Sequence, residues 1–177
     1  MKIALMGYAR AGKDTIASIM IEKLAGQTTR LAFGDQLKNL FHDIFDIPAN
    51  PKPREGYEKF GQTLREIDQM VWIKQLEKDM KYHQSMGVQN FIITDVRQPN
   101  EAMWCKDNGF IVIFVSSKES FRKERSVNDS VFIPVNESEK LIFSIDRDYS
   151  IDNNYSLEVL KTHIDKLLER MENDAKR

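Results

Sequence analysis

Residues 2–15 read KIALMGYARAGKDT. An apolar run, Lys2–Met6, stops at Gly7; a glycine loop follows, and TIASIMIEKL then carries apolar residues at helical spacing, so the segment predicts strand, loop, helix. A loop of this kind aims successive backbone N–H groups at a phosphate. The helix start adds partial positive charge, and the lysine reaches the terminal phosphates. Gly7, Gly12 and Lys13 satisfy G-x-x-x-x-G-K-[S/T], with Arg10 and Ala11 inside the loop, so a nucleoside triphosphate is the expected ligand.

Asp14 breaks the pattern, because the usual hydroxyl at that position is a magnesium ligand. Reading Thr15 in its place does not restore it, since one residue rotates a helical side chain by about 100°. Thr15 is expected to help hold another phosphate. Magnesium prefers hard oxygens and keeps several waters, so Asp14 is expected to serve the metal directly or through water. The alternative is that Asp14 only favours the positive helix start.

Working outward, FIITD (91–95) and FIVIFV (110–115) are continuous apolar runs of the kind found in strands buried on both faces of a parallel sheet. TRLAF and DYSID read as further short strands. GDQLKNLFHDIF, Tyr57 to about Gln84 (one or two helices), VRQPNEAMWCKDNG, KESFRKERSVNDS and SLEVLKTHIDKLLERM read as helices, with a tail, ENDAKR, expected to fray. Strands alternating with helices give an α/β class. With 177 residues the chain is expected to be one domain, with about 35–85 as a substrate-binding lobe and about 118–136 as a lid.

Charged residues are 30% of the chain but the net charge is only −1, which argues against a nucleic-acid polymer or an anionic membrane as partner. A single cysteine, Cys105, without a Cys/His cluster, suits a reducing compartment. No apolar run reaches the roughly 20 residues needed to span a bilayer, and the N-terminus is too short an apolar stretch for a signal peptide. The expectation is therefore a soluble, cytoplasmic protein. Its oligomeric state, a homodimer included, is left open.

Three further groups are candidates for the chemistry. Asp95, at the end of FIITD, is expected to project into the crevice at the carboxyl ends of the strands, as a catalytic and metal-binding acid, with Arg97 as a phosphate fork. The alternative has Asp95 capping the next helix and Arg97 pairing with Glu101. Arg122 and Arg125, three apart on a helix, could neutralise charge on a transferred phosphoryl group; a solvated basic helix is the other reading. Lys38, Arg65, Trp72 and Tyr57 could form a bed for an anionic substrate bearing a flat base.

In this order GYARAGKDT, FGDQLK, GQTLREIDQMVW, TDVRQPNE, the arginine-rich segment, ESE and DYSIDNNYSLEVL resemble the phage-type deoxynucleoside monophosphate kinase family. Gln98 stands where an aromatic is expected, and VNESE lacks the family's histidine. The resemblance implies a P-loop kinase fold with a five-stranded parallel sheet flanked by helices. It also implies transfer of the γ-phosphoryl group of ATP, with Mg2+, to a deoxynucleoside 5′-monophosphate. Lys13 and the loop would bind ATP, Lys38, Arg65 and Arg97 would surround the acceptor phosphate, and Arg122 and Arg125 would act from the lid. The same Gly-Lys-Asp loop also resembles animal-type phosphomevalonate kinases. A non-catalytic nucleotide-binding module is the rival from another class, although the chain lacks N-K-x-D and D-x-x-G.

Overall fold

The computed structural model describes residues 1–126 and 141–176. Five strands, β1 (Lys2–Met6), β2 (Thr28–Leu31), β3 (Asn90–Val96), β4 (Ile111–Ser116) and β5 (Tyr149–Asp152), form one parallel sheet in the order β2-β3-β1-β4-β5. The helices are α1 (Lys13–Lys23), α2 (Phe33–Ile44), α3 (Arg54–Ile67), α4 (Val71–Ser85), α5 (Pro99–Asp107), α6 (Glu119–Glu124) and α7 (Leu157–Asp174). Both faces of the sheet are covered, which explains why its strands read as unbroken apolar runs. Ile3, Leu5 and Ile92 pack with Ile16 and Met20 of α1 and Ile164 of α7. On the other face Ala4, Met6 and Ile93 pack with Phe33, Leu37, Trp72, Leu76 and Trp104 of α2, α4 and α5. The expected three-layer α/β fold is the observed one.

The middle helical stretch divides in two because Asp68 punctuates it. Its carboxylate accepts the Met70 N–H at 2.9 Å and its carbonyl accepts the Val71 N–H at 3.0 Å, which ends α3 and opens α4. The packing of α3 is mainly against α2 and α4. A further tie runs from α3 to α2. Tyr57 O–H donates to His42 Nε2 at 2.6 Å, and His42 Nδ1–H donates to the Ile47 carbonyl at 2.9 Å, the only tautomer that serves both.

Two boundaries differ from the sequence reading. The C-terminal helix does not fray at Glu172 but runs to Asp174, where Tyr149 O–H donates to the Asp174 carboxylate at 2.7 Å. The helix expected through KESFRKERSVNDS is observed as α6 up to Glu124; residues 127–140, with the rest of the expected lid and the ESE stretch, lie outside the described residues.

Candidate active site

The loop between β1 and α1 turns by backbone conformations that favour glycine. Gly7 has φ 151°, Gly12 φ 95°, and Arg10, without that freedom, φ 63°. Ala11, buried, donates its N–H to the Tyr8 carbonyl at 3.1 Å and closes the turn. Gly12 stands at the N-cap of α1 with no side-chain cap, so the first N–H groups of the helix are left to another acceptor. Lys13 is buried, with its ammonium donating to the carbonyls of Gly7 at 2.8 Å and Tyr8 at 2.9 Å. Asp14 and Thr15 face outward from the first turn. The Asp14 side chain is 81% exposed, and its carboxylate lies 3.5 Å from Arg30 Nε. Arg30, at the end of β2, also donates to Asp35 at 2.8 Å, and Asp35 accepts from Lys38 at 3.1 Å.

Asp95 is placed differently from expectation. The β1–β3 register shifts between Ala4↔Ile93 and Met6↔Val96, so β3 fits an extra residue in the interval that contains Asp95. The Asp95 carboxylate accepts the N–H groups of Phe33 and Gly34, both at 2.8 Å. Helix α2 has no cap of its own from Ala32, and Asp95 supplies one from β3, the strand beside β2. Among the described residues no group of three His, Cys, Asp or Glu is arranged to hold a metal ion. The acid expected to serve the metal is observed capping a helix, and the capped helix is α2 rather than the one that follows β3.

The two arginines expected in the lid diverge. Arg122 is buried, its guanidinium carbon 4.7 Å from the centre of the Tyr8 ring, and its Nε has no hydrogen-bond partner. Arg125 is instead a brace. Its guanidinium donates to the Arg10 carbonyl at 3.3 Å, the Ser117 hydroxyl at 3.2 Å and the Asn153 carbonyl at 2.9 Å. The sequence reading gave Arg125 a catalytic role beside Arg122; the structure shows its guanidinium tying the loop at Arg10 to Ser117 and Asn153. Asn153, missed in the sequence reading, completes the brace: it is buried, and its amide donates to the Ala11 carbonyl at 2.8 Å. The signal for it was an Asn-Asn pair directly after a strand. Asn153→Ala should leave a buried carbonyl unsatisfied, costing about 1–3 kcal/mol in a denaturant titration. It should also raise the KM for ATP while sparing that of the acceptor.

On the other side of the crevice Arg97 leaves the end of β3, and its guanidinium makes no ion pair among the described residues. Arg65, on α3, has Nη2 3.6 Å from Glu101 Oε1. Arg65 lines a cavity of about 300 Å³ with Gln62, Glu66, Gln69, Gln98 and Asn100. Lys38 is half-exposed one turn into α2, in reach of Asp35. Trp72 does not join them. It is 2% exposed, packed with Phe60, and its indole N–H donates to the Gly61 carbonyl at 3.2 Å, so neither ring face is open to a base. Glu101, named in the sequence only as a partner for Arg97, caps α5 instead, taking the Arg97 and Gln98 backbone N–H groups at 2.9 and 3.0 Å.

Comparison with known proteins agrees with this architecture. Shikimate kinase from Acinetobacter baumannii in complex with shikimate is 15% identical at TM-score 0.52, covering 98% of this chain and 93% of that one. Shikimate kinase from Bacteroides thetaiotaomicron is 15% identical at TM-score 0.55, covering 97% and 98%. Deoxyadenosine kinase from M. mycoides, solved with products dCMP and a flexible dCDP bound, is 16% identical at TM-score 0.53, covering 98% and 100%. At these identities the likeness establishes the fold. No curated protein matches the sequence. No helix among the described residues is long and apolar enough to cross a membrane. The family model described as deoxynucleotide monophosphate kinase matches residues 61–164, more than half of the chain, and the α3 arginine, the β3 exit and the α6 arginines all lie within it. The chain belongs to the deoxynucleotide monophosphate kinase family, a family of ATP-dependent phosphotransferases.

Proposed function

We propose that the protein transfers the γ-phosphoryl group of ATP to the 5′-phosphate of a deoxynucleoside monophosphate, with Lys13 and the loop amides on ATP and Arg65, Arg97 and Lys38 on the acceptor. The observation that carries this assignment is Arg122: a permanently charged group, 4% exposed, beside the glycine loop, with an unpartnered Nε and no ion pair among the described residues. Burying such a charge alone costs several kcal/mol. The charge that builds on a transferred phosphoryl group would offset that cost.

The residues fit Mg-ATP in their donor chemistry. The uncapped start of α1 and the Lys13 ammonium suit phosphate oxygens, and the Asp14 carboxylate is a hard, accessible ligand. Magnesium, when bound, neutralises charge on the β- and γ-phosphates. The acceptor phosphate oxygen, already anionic, forms the new P–O bond as the bond to the β-phosphate oxygen breaks and ADP leaves. No strong general base is needed, so Arg65 and Arg97 work by orienting the acceptor and Arg122 by stabilising charge.

The test is incubation with ATP, Mg2+ and each of dAMP, dCMP, dGMP, dTMP and their ribo counterparts, scoring diphosphate formation. Phosphorylation of phosphomevalonate with none of these nucleotides would overturn the reading. Asp14→Ala should raise the magnesium concentration for half-maximal activity about tenfold. Its effect on unfolding free energy should stay within about 0.5 kcal/mol, because the side chain is 81% exposed and makes one long ion pair. An unchanged magnesium response would leave Asp14 only its helix-start role.

A further inference from the structure

We propose that Glu101 is the positioning residue of the acceptor side, a single carboxylate that sets Arg65 on α3 and the Arg97–Gln98 turn against each other so that both arginines address one monophosphate. The proposal rests on the acceptor reading above. Its basis is a connection that no other described side chain makes: Oε2 accepts the N–H groups of Arg97 and Gln98, while Oε1 lies 3.6 Å from Arg65 Nη2. Residues 65 and 101 come from different helices, and the cavity of about 300 Å³ opens between the parts that Glu101 joins. A second tie spans the same gap, where the Asn100 amide donates to the Gln69 carbonyl at 3.1 Å.

An N-cap by itself needs no charge. The two backbone N–H groups would be satisfied by an amide oxygen, and burying a carboxylate for that purpose alone is unfavourable. Burial is the main cause that pushes this carboxyl up, to about 7, and the negative charge of Asp95 from β3 adds to it. The Arg97 and Gln98 N–H groups and the Arg65 guanidinium from α3 pull the other way, and the buried Cys105 thiol, one turn along α5, also faces it. Because the folded value lies above the unfolded one, the stabilisation from this group is complete below about pH 4.5 and is lost as pH rises through about 7. The form that holds Arg65 is therefore the less stable one. That is the pattern of a side chain kept for geometry at some expense of stability.

Glu101→Gln separates the two roles, since its amide oxygen can still cap α5 but carries no charge. With whichever of dAMP, dCMP, dGMP and dTMP the wild type phosphorylates, the variant should show the acceptor KM raised about tenfold, the KM for ATP unchanged, and the melting temperature unchanged or higher. In an Arg65→Met background the same change should add less than about twofold. An unchanged acceptor KM, an equal rise in both KM values or a fully additive loss in the double variant would each overturn the proposal. A wild type that phosphorylates and binds none of the four nucleotides would instead overturn the acceptor reading itself, and this inference with it.

Discussion

Arg122→Met should lower kcat by about a thousandfold while leaving the melting temperature unchanged or raised. The two effects have opposite signs for one reason. Arg122 is 4% exposed, its guanidinium rests 4.7 Å from the Tyr8 ring centre, and Nε is unsatisfied. Among the described residues its charge is met by the ring and by a more distant acid, Glu119, one turn away. Methionine of similar length keeps the contact with the ring and removes the uncompensated charge, so folding does not lose by it. Under the proposed role phosphoryl transfer does lose, because the charge on the transferred group is then without this guanidinium. Circular-dichroism melting and steady-state kinetics on the same preparation decide the matter. A variant that melts many degrees lower yet keeps its kcat would make Arg122 a packing residue over Tyr8 and nothing more.

The second large effect is at Gly7. Its φ of 151° is one that side-chain-bearing residues rarely adopt, and a Cβ there would sit 2.5 Å from the Val115 carbonyl oxygen. That oxygen belongs to β4, which is held to β1 by the pairing Leu5↔Ile113 and Met6↔Phe114, so it cannot withdraw without opening the sheet beside the loop. Gly7→Ala should cost about 3 kcal/mol or more in denaturant unfolding, with nucleotide binding lost in the fraction that still folds. Gly109→Ala is the matched control: its φ is 75°, but nothing lies within 4 Å of the added methyl. It should cost about 1–2 kcal/mol from backbone conformation alone. Equal losses at the two positions would show that backbone conformation, and not the approach of β4, governs Gly7.

Much of the fold was legible because its signals are local. KIALM, FIITD and FIVIFV are strands buried on both faces, and the turn from β1 into α1 is written in Gly7, Gly12 and Lys13. The glycine loop, and the arginines proposed for the acceptor, were picked out in the same way, from residue type and position. The direction of a side chain was not. Asp95 reaches α2 because of a register shift that depends on the partner strand, and no periodicity within FIITD announces it. Arg122 lies on α6 and Arg125 caps its end, yet one packs on Tyr8 and the other bonds to Asn153. Trp72 carried the correct chemistry for stacking on a base, but the close packing of α3 on α4 gave its indole to the core. These outcomes are set by contacts between distant parts of the chain, and the Asn153 to Ala11 bond joins residues 142 apart.

That last bond also orders events in time. The glycine loop leaves the ribosome well before the amide that holds its Ala11 carbonyl, and one of the carbonyls that anchors the bracing arginine, both of which come from the residue after β5. A nascent or truncated chain ending before Asn153 carries the entire loop sequence without its outer support. The loop's support is thus acquired only once β5 and the residue after it are made, when the edge strand docks and the rest of the sheet order is already set.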